Sequence, residues 1–181
     1  LDYIAGVVKG DGTLYYNKSA KEYVVEIYDR DLEFIELLTR ILMNIGYNYS
    51  ITSYHTYYRL RINSHRLYSS LLESMERLLS EPSIPFIRGL FDAEGTLYLD
   101  KRKRRPYPII ELSNTDQKVI NAVAKKFIEL GLKYSLKIYK KPGRRVLYKV
   151  ILRGRNVFSW AEIIKPLHPV KFSLLHTLSS L

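Results

Sequence analysis

Two acidic residues, Asp11 and Glu94, stand at matching places in this 181-residue chain, each followed by glycine and preceded by small residues spaced four apart. The small residues are Gly6 and Gly10 ahead of the first acid, and Gly89 and Ala93 ahead of the second. On a helix that spacing makes a smooth stripe, so two such helices can pack backbone against backbone. Side by side they bring both carboxylates together at their C-terminal, negatively polarised ends, where the like charges repel. Divalent cations relieve that repulsion, and phosphodiester hydrolysis is chemistry that needs them. Asp-Gly alone would serve equally well as a turn dipeptide. Glu-Gly is a poor turn, so what the copies share is the acid. The glycines after the acids are expected to end their helices in the left-handed region.

The elements that must position these acids also come in two copies. Ile4 to Tyr15 lines up with Ile87 to Tyr98, Gly12 and Gly95 being 83 residues apart. Asp31 to Ile35 answers Asp116 to Ile120, and Ile45-Gly46 answers Leu130-Gly131, both at 85. Tyr58-Arg59-Leu60 answers Tyr148-Lys149-Val150 at 90, a drift expected of lengthening loops. The halves are taken as 1–82 and 83–181, joined near Ser83. Each opens on a short apolar helix carrying the motif. In the first half, alternation predicts strands over 13–16 and 23–28. A helix follows, capped by Asp29 or Asp31 and ended by Gly46, with Phe34, Ile35, Leu38, Ile41 and Leu42 at helical spacing. Strands over 49–54 and 57–63 and a helix over 64–79 complete it. The second half repeats the order: strands at 96–99 and 109–113, a helix at 117–130, strands at 134–139 and 146–152, then closing helical segments. The expected fold is α+β: two pseudo-symmetric αββαββα halves, helices covering one face of each antiparallel sheet and the other face left to water or a partner.

Composition narrows the partner. Lys and Arg total 29 against 18 Asp and Glu, a net charge of +11, with 16 tyrosines interleaved. That balance attracts a polyanion, and nucleic acid leads. With no cysteine, disulfides, thiolate zinc sites and cysteine nucleophiles are excluded. No apolar run approaches the roughly 18 residues of a membrane span, and Leu1-Asp2-Tyr3-Ile4 lacks the basic start of a signal peptide, so a soluble, intracellular protein without membrane contact is expected. His55, His65, His168 and His176 have no zinc-ligand spacing and are expected at the surface or an interface. Neither a phosphate-binding glycine loop nor a nucleophile elbow appears.

The paired motifs resemble the LAGLIDADG signatures of homing endonucleases, specifically the monomeric, two-motif type, and the resemblance runs from Ile4 to the last helix. It implies motif helices at a central interface, with Gly6 and Gly89 in the contact, and two sheets forming a saddle over a DNA major groove. Asp11 and Glu94 then hold Mg²⁺ (Mn²⁺ substituting), helped by the main chain at Gly10 and Ala93. Water attacks the scissile phosphorus in line, with neither acid a conventional general base. Both strands are cut across a minor groove, leaving short 3′ overhangs in a long asymmetric target. The resemblance also places Asp29 and Arg30, and Asn114 and Thr115, near the metals. Arg30 and Lys171 are the candidate cationic helpers. Departures are Lys9, Arg88 and Asp92 at variable motif positions, expected to face away from the interface, and Asp29 where an amide is common.

Base reading would fall to alternate strand residues on the open faces. The candidates are Tyr15, Asn17, Tyr23, Arg59 and Arg61 in the first half, and Lys137, Tyr139, Lys149 and Ile151 in the second. The runs Lys101-Arg102-Lys103-Arg104-Arg105 and Lys140-Lys141-Pro142-Gly143-Arg144-Arg145 sit in hairpin turns, where they suit phosphates. Two other functions fit the same scaffold: a maturase binding intron RNA, and a catalytically silent DNA-binding regulator.

Overall fold

The computed structural model describes residues 1–101 and 107–179. The first half runs α1 (Asp2–Asp11), β1 (Gly12–Asn17), β2 (Glu22–Asp29), α2 (Leu32–Asn44), β3 (Ser50–Ser53), β4 (Tyr58–Asn63) and α3 (His65–Ser80). The second runs α4 (Ile84–Glu94), β5 (Thr96–Asp100), β6 (Tyr107–Asn114), α5 (Gln117–Glu129), β7 (Tyr134–Tyr139), β8 (Leu147–Arg153), α6 (Arg155–Ile164) and α7 (Pro169–Ser179). The second half thus carries one helix more than the first. Lys165, at φ 51°, turns the chain out of α6, and Pro166 and Pro169 bracket the link to α7.

Local chemistry explains the starts and stops. Asp31, Ser64, Ser83 and Asp116 each accept a main-chain N–H at the head of α2, α3, α4 and α5, worth about 1 kcal/mol apiece. Gly46, at φ 83°, follows α2 in the left-handed region. The glycines after the acids do otherwise. Gly12 (φ −114°) and Gly95 (φ −69°) are extended, because each helix passes straight into a strand. What requires glycine there is space. A Cβ on Gly12 would sit 2.6 Å from Val8 Cα, and one on Gly95 2.0 Å from the Phe91 ring.

Each sheet is antiparallel, ordered β1-β2-β4-β3 and β5-β6-β8-β7. The inward faces carry Val25, Ile27, Leu60 and Ile62 in one sheet, and Leu97, Ile110, Leu112, Val150 and Leu152 in the other. Together with Phe34, Leu38 and Leu42 of α2 and Val119, Val123 and Phe127 of α5, they join a single core that both halves share. At its centre α1 and α4 lie backbone to backbone. A Cβ on Gly6 would fall 2.2 Å from the Phe86 carbonyl oxygen, and one on Gly89 2.1 Å from that of Tyr3. No larger residue fits either place. Among the described residues no helix is long and apolar enough to cross a membrane.

Register fixes which side chains share a face. Tyr15 pairs with Val24, Tyr16 with Tyr23, and Tyr28 with Arg59. Tyr15, Asn17, Arg59 and Arg61 therefore lie on the open face of the first sheet. Tyr23 does not, contrary to the sequence reading. The first hairpin pairs odd positions with even ones, which puts Tyr23 on the helix side, its ring against Tyr16, His65 and Tyr68. In the second sheet Lys137, Tyr139, Lys149 and Ile151 share the open face by register, although Ile151 is buried there.

Candidate active site at the seam of the two halves

Asp11 ends α1 and Glu94 ends α4, so the close helix crossing delivers both carboxylates to one edge of the seam. A Cβ on Gly10 would meet the Ala93 side chain at 2.6 Å and Glu94 Cγ at 3.3 Å, which shows how nearly the two motif ends touch. Removal from water, the first cause, pushes the Glu94 carboxyl up to about 7, and the charge of Asp11 adds to it. Asn114, at the end of β6, opposes this by donating from Nδ2 to Glu94 Oε2 at 2.7 Å. Asp11 is exposed as a residue, yet the protein around its carboxyl raises it too, and the charge of Asp29 adds to that.

The two poles differ. Asn114 and Asp29 occupy equivalent ends of β6 and β2, and each accepts the main-chain N–H two residues on at 2.7 Å. The amide then donates to its acid, whereas Asp29 cannot. Its second oxygen turns to His168 Nε2 at 3.7 Å. Arg30, exposed, lines a recess with Asp11, Tyr28, Asp29 and Tyr57. Its equivalent, Thr115, lines a groove with Tyr139, Lys141, Arg144, Arg145, Leu147 and Lys149.

Lys171 lies beneath both acids. Its Nζ donates to the carbonyls of Phe91, Asp92 and Ala93 at 2.7, 2.6 and 3.2 Å, capping the negative end of α4. Burial pushes the ammonium down to about 8 against the pull of Asp92, Asp29, Asp11 and Glu94. Lys171→Met is expected to cost about 2–3 kcal/mol, because three carbonyls lose a charged donor at once. Chemical denaturation measures it; an unchanged midpoint would mean water caps the helix end equally well.

Two contributors escaped the sequence reading. Asp92, expected to face away, is fully buried and reaches across the seam. Its Oδ2 accepts from the Tyr3 hydroxyl and from Leu167 N, both at 2.9 Å. His168 is buried, stacked on Phe34 of the first half at 4.4 Å and set between Asp29 and Asp31. The link from α6 to α7 thus straps the halves together behind the acids. Nothing in single-residue spacing signals this, since each partner lies 75 or more residues away. Lys9 pairs with Asp116 at 2.9 Å.

The remaining sequence candidates are spread over the open faces. Asn17 spends its side-chain oxygen on Ser19 and Ala20 within the hairpin turn. Lys149 pairs with Glu111 and sits 5.3 Å over the Tyr139 ring. Lys101, Lys137, Lys140, Lys141, Arg144 and Arg145 are exposed. Arg102, Lys103, Arg104 and Arg105 lie outside the described residues.

The donor chemistry at the seam fits a hard divalent cation. Two carboxylates held against their preference for water are hard oxygen donors, the kind such a cation takes. Among the described residues no group of three or more His, Asp or Glu could hold a metal unaided. Mg²⁺ commonly takes only one or two carboxylates, with waters and substrate phosphates completing its shell. The raised Glu94 also has a measurable sign. The stability its neutral form contributes is full below about 4.5 and is lost as pH rises to about 7. Thermal stability of the metal-free protein should therefore fall relative to Glu94→Gln across that window. A gap that does not change with pH would contradict the assignment.

Comparison with known proteins places the same architecture elsewhere. A family model described as a LAGLIDADG-like domain matches residues 1–76 and again 81–165. An uncharacterized protein of Methanocaldococcus jannaschii is 28% identical over 153 residues, covering 75% of this chain and 56% of its own length. This chain spans about half the length of that relative and of a second from the same organism. The homing endonuclease I-DmoI of Desulfurococcus mucosus is 26% identical over 181 residues, covering 93% of this chain and 89% of its own. A structure of I-DmoI with DNA and Ca superposes with a TM-score of 0.74 at 23% identity, over 97% of this chain and 96% of that one. The homing endonuclease I-GzeII in complex with its DNA target gives 0.66 at 11% identity, over 99% and 88%. The unit found twice by the family model is the one that builds each sheet and its half of the seam, and this chain belongs to the LAGLIDADG-like domain family.

Proposed function

We propose that the protein is a site-specific homing endonuclease, making metal-dependent cuts in both strands of a long asymmetric DNA target and leaving short 3′ overhangs. The observation that carries this is the pair of desolvated carboxylates at the seam, flanked on either side by an open sheet face. Each half, 1–82 and 83–181, would lay its sheet along one part of the duplex, and a single chain suffices because both motifs are on it. I-DmoI, solved with DNA and with Ca or Mn, supports the reading by its similarity along nearly the whole chain.

A bound divalent cation, Mg²⁺ with Mn²⁺ as substitute, would supply Lewis-acid stabilisation of the charge that develops on the scissile phosphate. Asp11 and Glu94 would hold it, with the Gly10 and Ala93 carbonyls beside them. Asn114 aims Glu94 through its amide. Arg30 stands at the rim of the Asp11 recess, placed to meet a phosphate oxygen. Lys171, occupied by three carbonyls, acts through its field and not by contact. The basic runs Lys101–Arg105 and Lys140–Arg145 would grip phosphates, and the open faces would read bases. A silent regulator gives no reason to hold two acids against each other at this cost.

The test is a supercoiled plasmid library carrying randomised inserts. Linearisation of a subset with Mg²⁺, and not with chelator, is the expected result. Tight, metal-independent binding to structured RNA without any cleavage of DNA would instead select the maturase.

A further inference from the structure

The open face of the first sheet carries an acid where the proposed partner is a polyanion. Alternation puts Glu22, Val24, Glu26 and Tyr28 of β2 on that face, with Glu26 directly across from Arg61 and Tyr28 across from Arg59. Glu26 is only 4% exposed. Its Oε2 accepts from the Tyr28 hydroxyl at 2.6 Å. Its Oε1 accepts no hydrogen bond and lies 3.6 Å from one guanidinium nitrogen of Arg59 and 3.6 Å from one of Arg61. The rest of each fork is steadied by neighbours. Arg61 donates to Asn63 and Glu22, while Arg59 reaches Thr52 and lies over the Tyr54 ring.

A buried carboxylate facing incoming phosphates is costly through lost hydration and through repulsion. What it provides is geometry. One oxygen shared between two guanidiniums aligns two long side chains that would otherwise have to be ordered on binding. Glu22 and Glu26 also cancel Arg59 and Arg61, so this group has no net charge with which to grip phosphates. Two aligned forks on a neutral patch suit base edges, and the arginine fork matches guanine O6 and N7. The equivalent acid of the second sheet, Glu111, meets Lys149, a point charge without a fork.

Resting on the nuclease reading above, we infer that Glu26 is a positioning residue that sets Arg59 and Arg61 to read guanines in the part of the target covered by the first sheet. The experiment is cleavage of a randomised duplex library by the wild-type protein and by Glu26→Gln, Arg59→Lys and Arg61→Lys, with sequencing of the cut sites. Glu26→Gln is expected to relax the preference about tenfold at one or two base pairs, the same ones that the arginine variants relax, and nowhere else. Its binding to unrelated duplex should steepen in salt by about one unit of logarithmic slope, as a cation is released to phosphate. If Glu26→Gln does not fold, Glu26→Asp, which keeps the charge and withdraws it by one methylene, carries the same expectation for base preference, with the salt slope left unchanged. A uniform loss at every position with a lower melting temperature would make Glu26 merely structural and overturn the proposal. So would arginine variants that relax other positions. A wild-type protein that cuts nothing in the library contradicts the nuclease reading itself, whereas normal cutting with an unchanged Glu26→Gln profile contradicts only this assignment.

Discussion

Replacing Asp11 by Asn, or Glu94 by Gln, is expected to lower double-strand cleavage by about three orders of magnitude or more, since several kcal/mol of transition-state stabilisation depend on the cation each acid holds. Duplex binding should be unchanged or slightly tighter, because a negative charge beside the phosphates has gone. Both changes keep the side chain's shape, and Asn114 retains an oxygen to which it can donate at position 94. The metal-free fold should gain stability, most clearly for Glu94, whose carboxyl is pushed up to about 7 by removal from water. Single-turnover cleavage beside a binding titration separates the two effects. If binding falls in step with cleavage, the acids support the fold and not the chemistry.

The second large effect lies in the seam. Gly89→Ala places a methyl 2.1 Å from the Tyr3 carbonyl oxygen, and Gly6→Ala places one 2.2 Å from that of Phe86. Neither obstacle is a movable side chain, so α1 and α4 must separate, and the core shared by both halves separates with them. Overpacking of this kind costs about 3 kcal/mol, or roughly 10 °C of melting temperature in a chain of this size. Cleavage should fall more steeply than stability, because the same crossing sets the spacing of the two acids. Calorimetry on each variant checks the first part, and cleavage at a temperature where the variant stays folded checks the second. A melting temperature within a degree or two of the wild type would show that the crossing is looser than the backbone contacts require.

Much of this was legible in the residues because the chain says it twice. Repetition exposed the motif, the small-residue stripe and the order of elements, and the caps at Asp31 and Asp116 follow from ordinary N-cap chemistry. What stayed hidden was set by pairing across distance. Register moved Tyr23 to the helix side, since alternation within a strand does not say which parity its neighbour shares. Gly12 and Gly95 read as left-handed stops, yet both are extended and excluded from bearing a side chain by Val8 and Phe91. Asp92 read as an outward motif position because its partner, Tyr3, belongs to the other copy. Lys171 could be named as a cation near the site, but its task of closing α4 depends on a strap with no counterpart in the first half.

The most direct measurement is anomalous scattering from Mn²⁺ in a cocrystal with a cleavable duplex. Manganese should appear at the seam, bonded to a carboxylate oxygen of residue 11 or residue 94, with a backbone phosphate completing the contact. Manganese bound elsewhere on the complex, with those two side chains turned away from any phosphate, would contradict the mechanism proposed for this chain.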